Sequence, residues 1–141
     1  MSDIPPALIA EATKQARVIW LTIGSGRPRP AWHIWHPSAS ADSAGAAYLV
    51  TGPGEQPLPG LAAAGQVTVT VPGAGSGGQS VTWTATVTRV PPDSTEWDAV
   101  IGPLVAGRLN ALLTGEETSP APRWARSGAV YRLAPVGRRA H

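Results

Sequence analysis

Between residues 81 and 87 the chain alternates without a break: Val81, Trp83, Ala85 and Val87 share one side of an extended backbone, Thr82, Thr84 and Thr86 the other. A period of two is the mark of a strand with one face buried and one wet. The expected strand runs from Ser80 to Val90, and Gln66 to Val71 repeats its pattern, with Val67, Val69 and Val71 set against Thr68 and Thr70. Four more apolar, β-prone runs complete the set: Val18 to Ile23, Pro30 to His36, Ala46 to Thr51 and Ala129 to Leu133. Each is bounded by Gly, Pro or Ser, the residues that turn chains. Gly24-Ser25-Gly26-Arg27-Pro28 joins the first two of the six as a hairpin.

Helical spacing is confined to two longer stretches. Leu8, Ile9, Ala12 and Ala16 recur within Pro5 to Arg17, where Pro5-Pro6 suits a helix start. Asp93-Ser94-Thr95-Glu96 reads as a capping box with Asp93 as N-cap, opening a helix to about Asn110 that Pro103 bends or splits. A brief helix is expected at Leu61 to Ala64, and residues 37–45, 52–60, 72–78 and 114–122 read as loops. Consecutive strands with one apolar face close into a barrel more readily than they leave edges bare. The prediction is a mainly β fold: six antiparallel strands in a small barrel with two or three flanking helices.

Length and composition narrow the class. The 141 residues make one domain, 1–141, with 135–141 as a loose tail. Only 14% of residues are charged, against 43% hydrophobic. That points either to surface hidden in an oligomer or simply to an Ala/Gly/Pro-rich chain. The eleven basic residues exceed the nine acidic ones by only two, and the arginines are scattered rather than gathered on one face, so nucleic acid is not an expected partner. With no Cys, disulfides, thiolate metal sites and Cys nucleophiles are excluded together. No signal-peptide pattern precedes Pro6 and no apolar run reaches the ~20 residues of a membrane span. The expectation is a soluble cytoplasmic protein with no membrane partner.

Candidate chemistry centres on Trp32-His33-Ile34-Trp35-His36. Strand alternation sends Ala31, His33 and Trp35 to one face and Trp32, Ile34 and His36 to the other. A flat ring can lie against Trp35 while His33 hydrogen-bonds to it, or the tryptophans can be core or interface anchors. His33 and His36 lie on opposite faces and do not converge on a metal, which needs three or four ligands, so no metal site is expected. Ser25 and Ser76 lack the strand–elbow–helix setting of a hydrolase nucleophile. Asp93, Glu96 and Asp98 sit at a helix start, where cap and dipole duty suits them better than paired-carboxylate catalysis.

The order of these features resembles the pyridoxamine 5′-phosphate oxidase-like, FMN-binding split-barrel family. The carriers are Val18 to Ile23, Gly26-Arg27-Pro28, the aromatic strand Trp32 to Trp35, Tyr48-Leu49-Val50-Thr51 and the Gln66 to Val71 strand. The resemblance implies a split β-barrel whose cofactor, FMN or a deazaflavin, lies in a groove at a homodimer interface. It further implies hydride transfer to a small-molecule substrate, with Arg27, His33, Trp35, Thr51, Gly52 and Gln56 around the cofactor. No catalytic residue is implied. One departure stands out: the family's Lys or Arg after the third-strand Thr is missing, since Thr51 to Leu61 contains neither. The alternative is therefore a non-catalytic dimeric split barrel holding another flat ligand, such as a tetrapyrrole, or none.

Overall fold

A computed structural model describes residues 6–16, 18–37, 45–52, 56, 58–73, 76–111 and 121–136. Its strands are β1 (Val18–Thr22), β2 (Arg29–Trp32), β3 (Ile34–His36), β4 (Ala46–Thr51), β5 (Gln66–Val71), β6 (Val81–Val90) and β7 (Ala129–Pro135). The helices are α1 (Pro6–Gln15), α2 (Thr95–Ala111) and α3 (Ala121–Ser127). All seven strands form one antiparallel sheet in the order β2-β1-β5-β6-β7-β4-β3. The mainly β fold with flanking helices is as expected. Among the described residues, no helix is long and apolar enough to cross a membrane.

The strand expected at Pro30 to His36 is two strands divided at His33, and the reason lies in their partners. Trp32 pairs with Val18 of β1, whereas Ile34 pairs with Tyr48 of β4. Strands β2 and β3 are the two edges of the sheet, so the chain steps from one edge to the other through a single residue. The sheet is thereby rolled into a nearly closed barrel with a seam at that step.

Continuing the β3–β4 register by two residues would bring Trp32 opposite Val50. The strands have parted there, and the Gln56 side-chain amide lies between them. Trp32 N–H donates to Gln56 Oε1 at 2.9 Å, and Gln56 Nε2 donates to the Trp32 and Val50 carbonyls at 3.1 and 3.2 Å. One side chain thus satisfies three backbone groups that the split ladder leaves over, as half-buried peptide groups require.

Alternation fills the inside as expected: Ile19, Leu21, Leu49, Val69, Ala85 and Leu133 are wholly buried there. Outside β4 and β7 a second core forms, where Tyr48, Val50 and Val130 meet Trp97, Val100 and Leu104 of α2 and Trp124 of α3. Nothing among the described residues covers the outside of β1, β5 and the first half of β6 in that way. Trp20 pairs across that face with Pro30 and Thr70, and Thr70 with Thr82.

The α2 cap lies one residue later than expected. Ser94, not Asp93, is the N-cap: its Oγ accepts from Trp97 N–H at 3.1 Å. Helix α2 runs through Pro103 as one element, because both Pro103 and Ala99, whose carbonyl loses its i+4 donor, face solvent. The brief helix expected at Leu61 to Ala64 is a single 3-10 turn, Leu61–Ala63. The loop expected over 114–122 ends earlier than its pattern suggested, since Ala121–Ser127 is helix α3; residues 112–120 lie outside the described residues. Pro135, expected to begin the tail, still pairs with Ala85 in β7, and 137–141 lie outside the described residues.

Gln56→Ala leaves three half-buried backbone groups without this partner. At roughly 0.5–1 kcal/mol each, unfolding stability is expected to fall by about 2 kcal/mol, measured by urea titration. A loss below ~0.5 kcal/mol would show that water replaces the amide at no cost.

Candidate functional site at the barrel seam

The six sequence-derived site residues are distributed around the seam unequally. His33, the crossing residue, is only 9% exposed. Its Nε2 lies 2.7 Å from the Thr13 carbonyl of α1, to which it donates, and Nδ1 has no hydrogen-bond partner among the described residues. Thr13 is wholly buried and its hydroxyl accepts from Trp83 Nε1 at 3.1 Å. One helix residue therefore anchors α1 both to the seam and to β6. Burial holds the His33 imidazole below its ordinary pKa, outweighing the Thr13 and Ala31 carbonyls that favour the cation. His33 is a neutral structural donor with its bonding edge spent on α1.

Trp35 shares the inward face with His33, as alternation predicted. Its ring meets Trp83 edge-on, with centroids 6.2 Å apart. The chain passes close by its indole N–H edge: a Cβ on Gly45 would stand 2.6 Å from Trp35 Nε1, and Gly45 itself has φ +116°. Only glycine fits so near the ring in that backbone conformation. Trp35 is thus a rigid, half-buried wall.

Thr51 ends β4, pairs with Ala129 and is half-buried. Gly52, at φ +132°, abuts Gly128 so closely that a Cβ would lie 2.7 Å from its Cα. These facing glycines let the end of β4 touch the turn between α3 and β7. Gln56 sits in the seam with both amide ends engaged, and Arg27 is exposed in the β1–β2 turn. The structure therefore brings His33 and Gln56 to the seam as supports, and places Thr51 and Gly52 apart from them at the end of β4. Glu55, which by sequence would repel an anion placed after Thr51, and His141, a third histidine for a metal beside His33 and His36, lie outside the described residues.

A second polar cluster escaped sequence reasoning. Tyr48 OH donates to Glu96 Oε2 at 2.6 Å, and Arg132 Nη1 donates to the same oxygen at 2.9 Å. Tyr48 and Arg132 are register partners on β4 and β7, and Glu96 reaches down to them from the first turn of α2. His36 meets Tyr48 edge-on at 6.2 Å and donates through Nδ1 to the Pro37 carbonyl at 2.8 Å. Burial, and then the Glu96 carboxylate, push the Tyr48 hydroxyl well above the usual phenol range, so it stays a donor. The helix-start carboxylate was expected to serve its own cap; instead it pins α2 to the sheet. Spacings of 36 and 48 residues carry no local signal. Thr13 did carry one, since it falls in the apolar stripe with Ile9, Ala12 and Ala16. Among the described residues no group of His, Asp or Glu is arranged to hold a metal ion.

No protein-family model matches the chain, and no curated protein matches it at a significant level. Solved structures do match. An FAD-binding protein of Mesorhizobium loti superposes with a TM-score of 0.60 at 16% identity, over 95% of this chain and 91% of its own. A pyridoxamine 5′-phosphate oxidase-like protein of Listeria innocua gives 0.55 at 14% identity, over 94% of each chain. The fold is a split barrel, shared with these structures. HutZ, the heme storage protein of Vibrio cholerae, shares this split barrel with a TM-score of 0.52 at 15% identity, over 92% of this chain and 89% of its own. At such identities the split barrel itself, and not a ligand, is what the chains have in common.

The buried imidazole and the carboxylate cluster each lead to a measurable outcome. Because the unfolded chain protonates His33 at its ordinary value while the buried ring resists, the unfolded state binds more protons as pH falls below about 6.5. Stability is expected to be insensitive to this group above that pH and to decline below it, by at most about 1.4 kcal/mol per pH unit. His33→Gln, which can still donate to Thr13, should flatten that slope in denaturant titrations between about pH 5 and about pH 6.5. Separately, Glu96→Ala strands the Tyr48 hydroxyl and the Arg132 guanidinium. With the ion pair a third exposed, a loss of about 1–2 kcal/mol is expected by thermal or urea unfolding, and no loss would mean that the cluster does not hold α2.

Proposed function

We propose that this chain is a homodimeric split-barrel protein that binds a flavin-type cofactor, FMN or a deazaflavin, and uses it to transfer hydride to or from a small molecule. The observation that carries the reading is a fold shared over 95% of the chain with an FAD-binding protein. When bound, the cofactor supplies the redox chemistry, so the task requires no convergent acid–base pair from the chain. Its own residues bind, orient and exclude water. Trp35, braced by Trp83, offers a rigid apolar wall for a ring; the Thr51 hydroxyl and Gly52 N–H offer donors for polar atoms.

The fit is uneven, and the unevenness is informative. No Lys or Arg lies between Thr51 and Leu61, and the Gln56 amide is committed to the seam. A phosphate at the end of β4 would therefore be held by neutral donors, forgoing roughly 1.5–3 kcal/mol from a charge-assisted partner. Ring burial must carry most of the affinity. Titrated fluorescence quenching is the direct measurement: FMN or a deazaflavin is expected to quench on binding in the micromolar range, and riboflavin to bind within about tenfold of FMN. Absence of quenching by all three at tens of micromolar (roughly −6 kcal/mol or weaker) would overturn the reading.

The missing cation and the likeness to a heme storage protein together favour a second reading, a non-catalytic dimer holding a tetrapyrrole. A shift of the haemin Soret band on titration, without flavin quenching, distinguishes it.

A further inference from the structure

Helix α1 leans on β3, β4 and β6, and Thr13 ties it there through His33 and Trp83. At about 100° per residue, Leu8, Glu11 and Gln15 lie roughly 140–160° around the helix from Thr13, on its opposite flank. Between that flank and the end of β5 an open-sided cleft of about 350 Å³ remains. Ala12 and Ala16 make one wall, and Val71, Pro72 and Gly73 the other. The alanines, one turn apart, present only methyl groups, and Gly73 has no side chain, so the walls stand apart. Leu8 borders the opening and is 42% exposed.

The rim carries the charge. Glu11 and Gln15 line the cleft, and Gln15 Nε2 donates to Glu11 Oε2, which holds the carboxylate along the opening. Among the described residues, no Lys, Arg or His lines it. We propose that the cleft binds a small organic cation, its flat apolar body between the walls and its protonated amine on the Glu11 carboxylate. Trp35, Thr51 and Gly52 do not line the cleft, so the inference is independent of the flavin reading.

Size and sign select the ligand. A cavity of about 150 Å³ holds benzene, so the volume here suits about two fused rings. Covering Leu8 and the alanine wall removes apolar surface from water, which is the main source of affinity. An ammonium donates a charge-assisted hydrogen bond to Glu11, whereas a carboxylate or phosphate meets a like charge with no cation beside it. For a ligand of about a dozen non-hydrogen atoms, a Kd on the order of 0.1–1 mM follows.

The experiment titrates the full chain with three probes of one shape, naphthylmethylammonium, naphthalenemethanol and naphthoate, and follows backbone amide shifts by NMR. The cation is expected to saturate, with the largest shifts at Gln15, Ala16 and Gly73 and little change at Thr51 or Gly52. The neutral alcohol should bind about threefold to fivefold more weakly, and the acid more weakly still. Glu11→Gln is expected to bring the cation down to the level of the alcohol. Ala16→Leu fills the space between the walls and should abolish saturation by all three probes. Leu8→Lys, at an exposed position, keeps the test valid should Ala16→Leu fail to fold. It sets a cation at the opening and should reverse the order of ammonium and acid. No saturable shift with the cation up to about 10 mM would overturn the site, as would shifts centred away from α1 and Gly73. Equal affinity for the three probes, unchanged by Glu11→Gln, would overturn the preference for a cation.

Discussion

The side-chain amide of Gln56 sits where this barrel parts. Trp32 belongs to one edge of the sheet and Val50 to the strand beside the other edge, and the chain crosses between edges within one residue, His33. A seven-stranded sheet rolled this far leaves backbone donors and acceptors at the crossing that no strand can pair. Buried, they would cost more than most side-chain contacts return. A planar amide, carrying donors at one end and an acceptor at the other, meets that need without adding charge. The strands and helices around the seam inherit much of their geometry from that closure.

The helices are tied to the closed barrel by equally specific means. Thr13 spends its carbonyl on His33 and its hydroxyl on Trp83, so α1 is fixed at the seam and at the far strand together. Glu96 joins α2 to β4 and β7 by a carboxylate shared between a phenol and a guanidinium. Facing glycines 52 and 128 bring the end of β4 against the α3–β7 turn. Polar groups here select one packing of the helices, while apolar burial supplies most of the stability.

Two residues that pointed to chemistry have polar groups bonded within the folded chain. His33 looked like a ring-facing donor because strand alternation placed it beside Trp35. That geometry was right, but the space beside it is taken by α1. Gln56 stood among the residues that the resemblance placed around a cofactor, and its amide is consumed by the seam. Such outcomes are typical of polar residues near a break in a ladder, where backbone needs compete with ligands for the same side chain.

What the sequence determined by itself were the strands, their inward faces and the fold class, because period-two alternation and Gly/Pro punctuation are local and survive any arrangement of neighbours. It also determined the absence of a cation after Thr51. What only the tertiary structure decided was partnership: that Pro30 to His36 divides at His33, that Ser94 and not Asp93 caps α2, and that Glu96 crosses to Tyr48 and Arg132. Each depends on which strand or helix lies alongside, and contacts between residues tens of positions apart leave no imprint on local spacing.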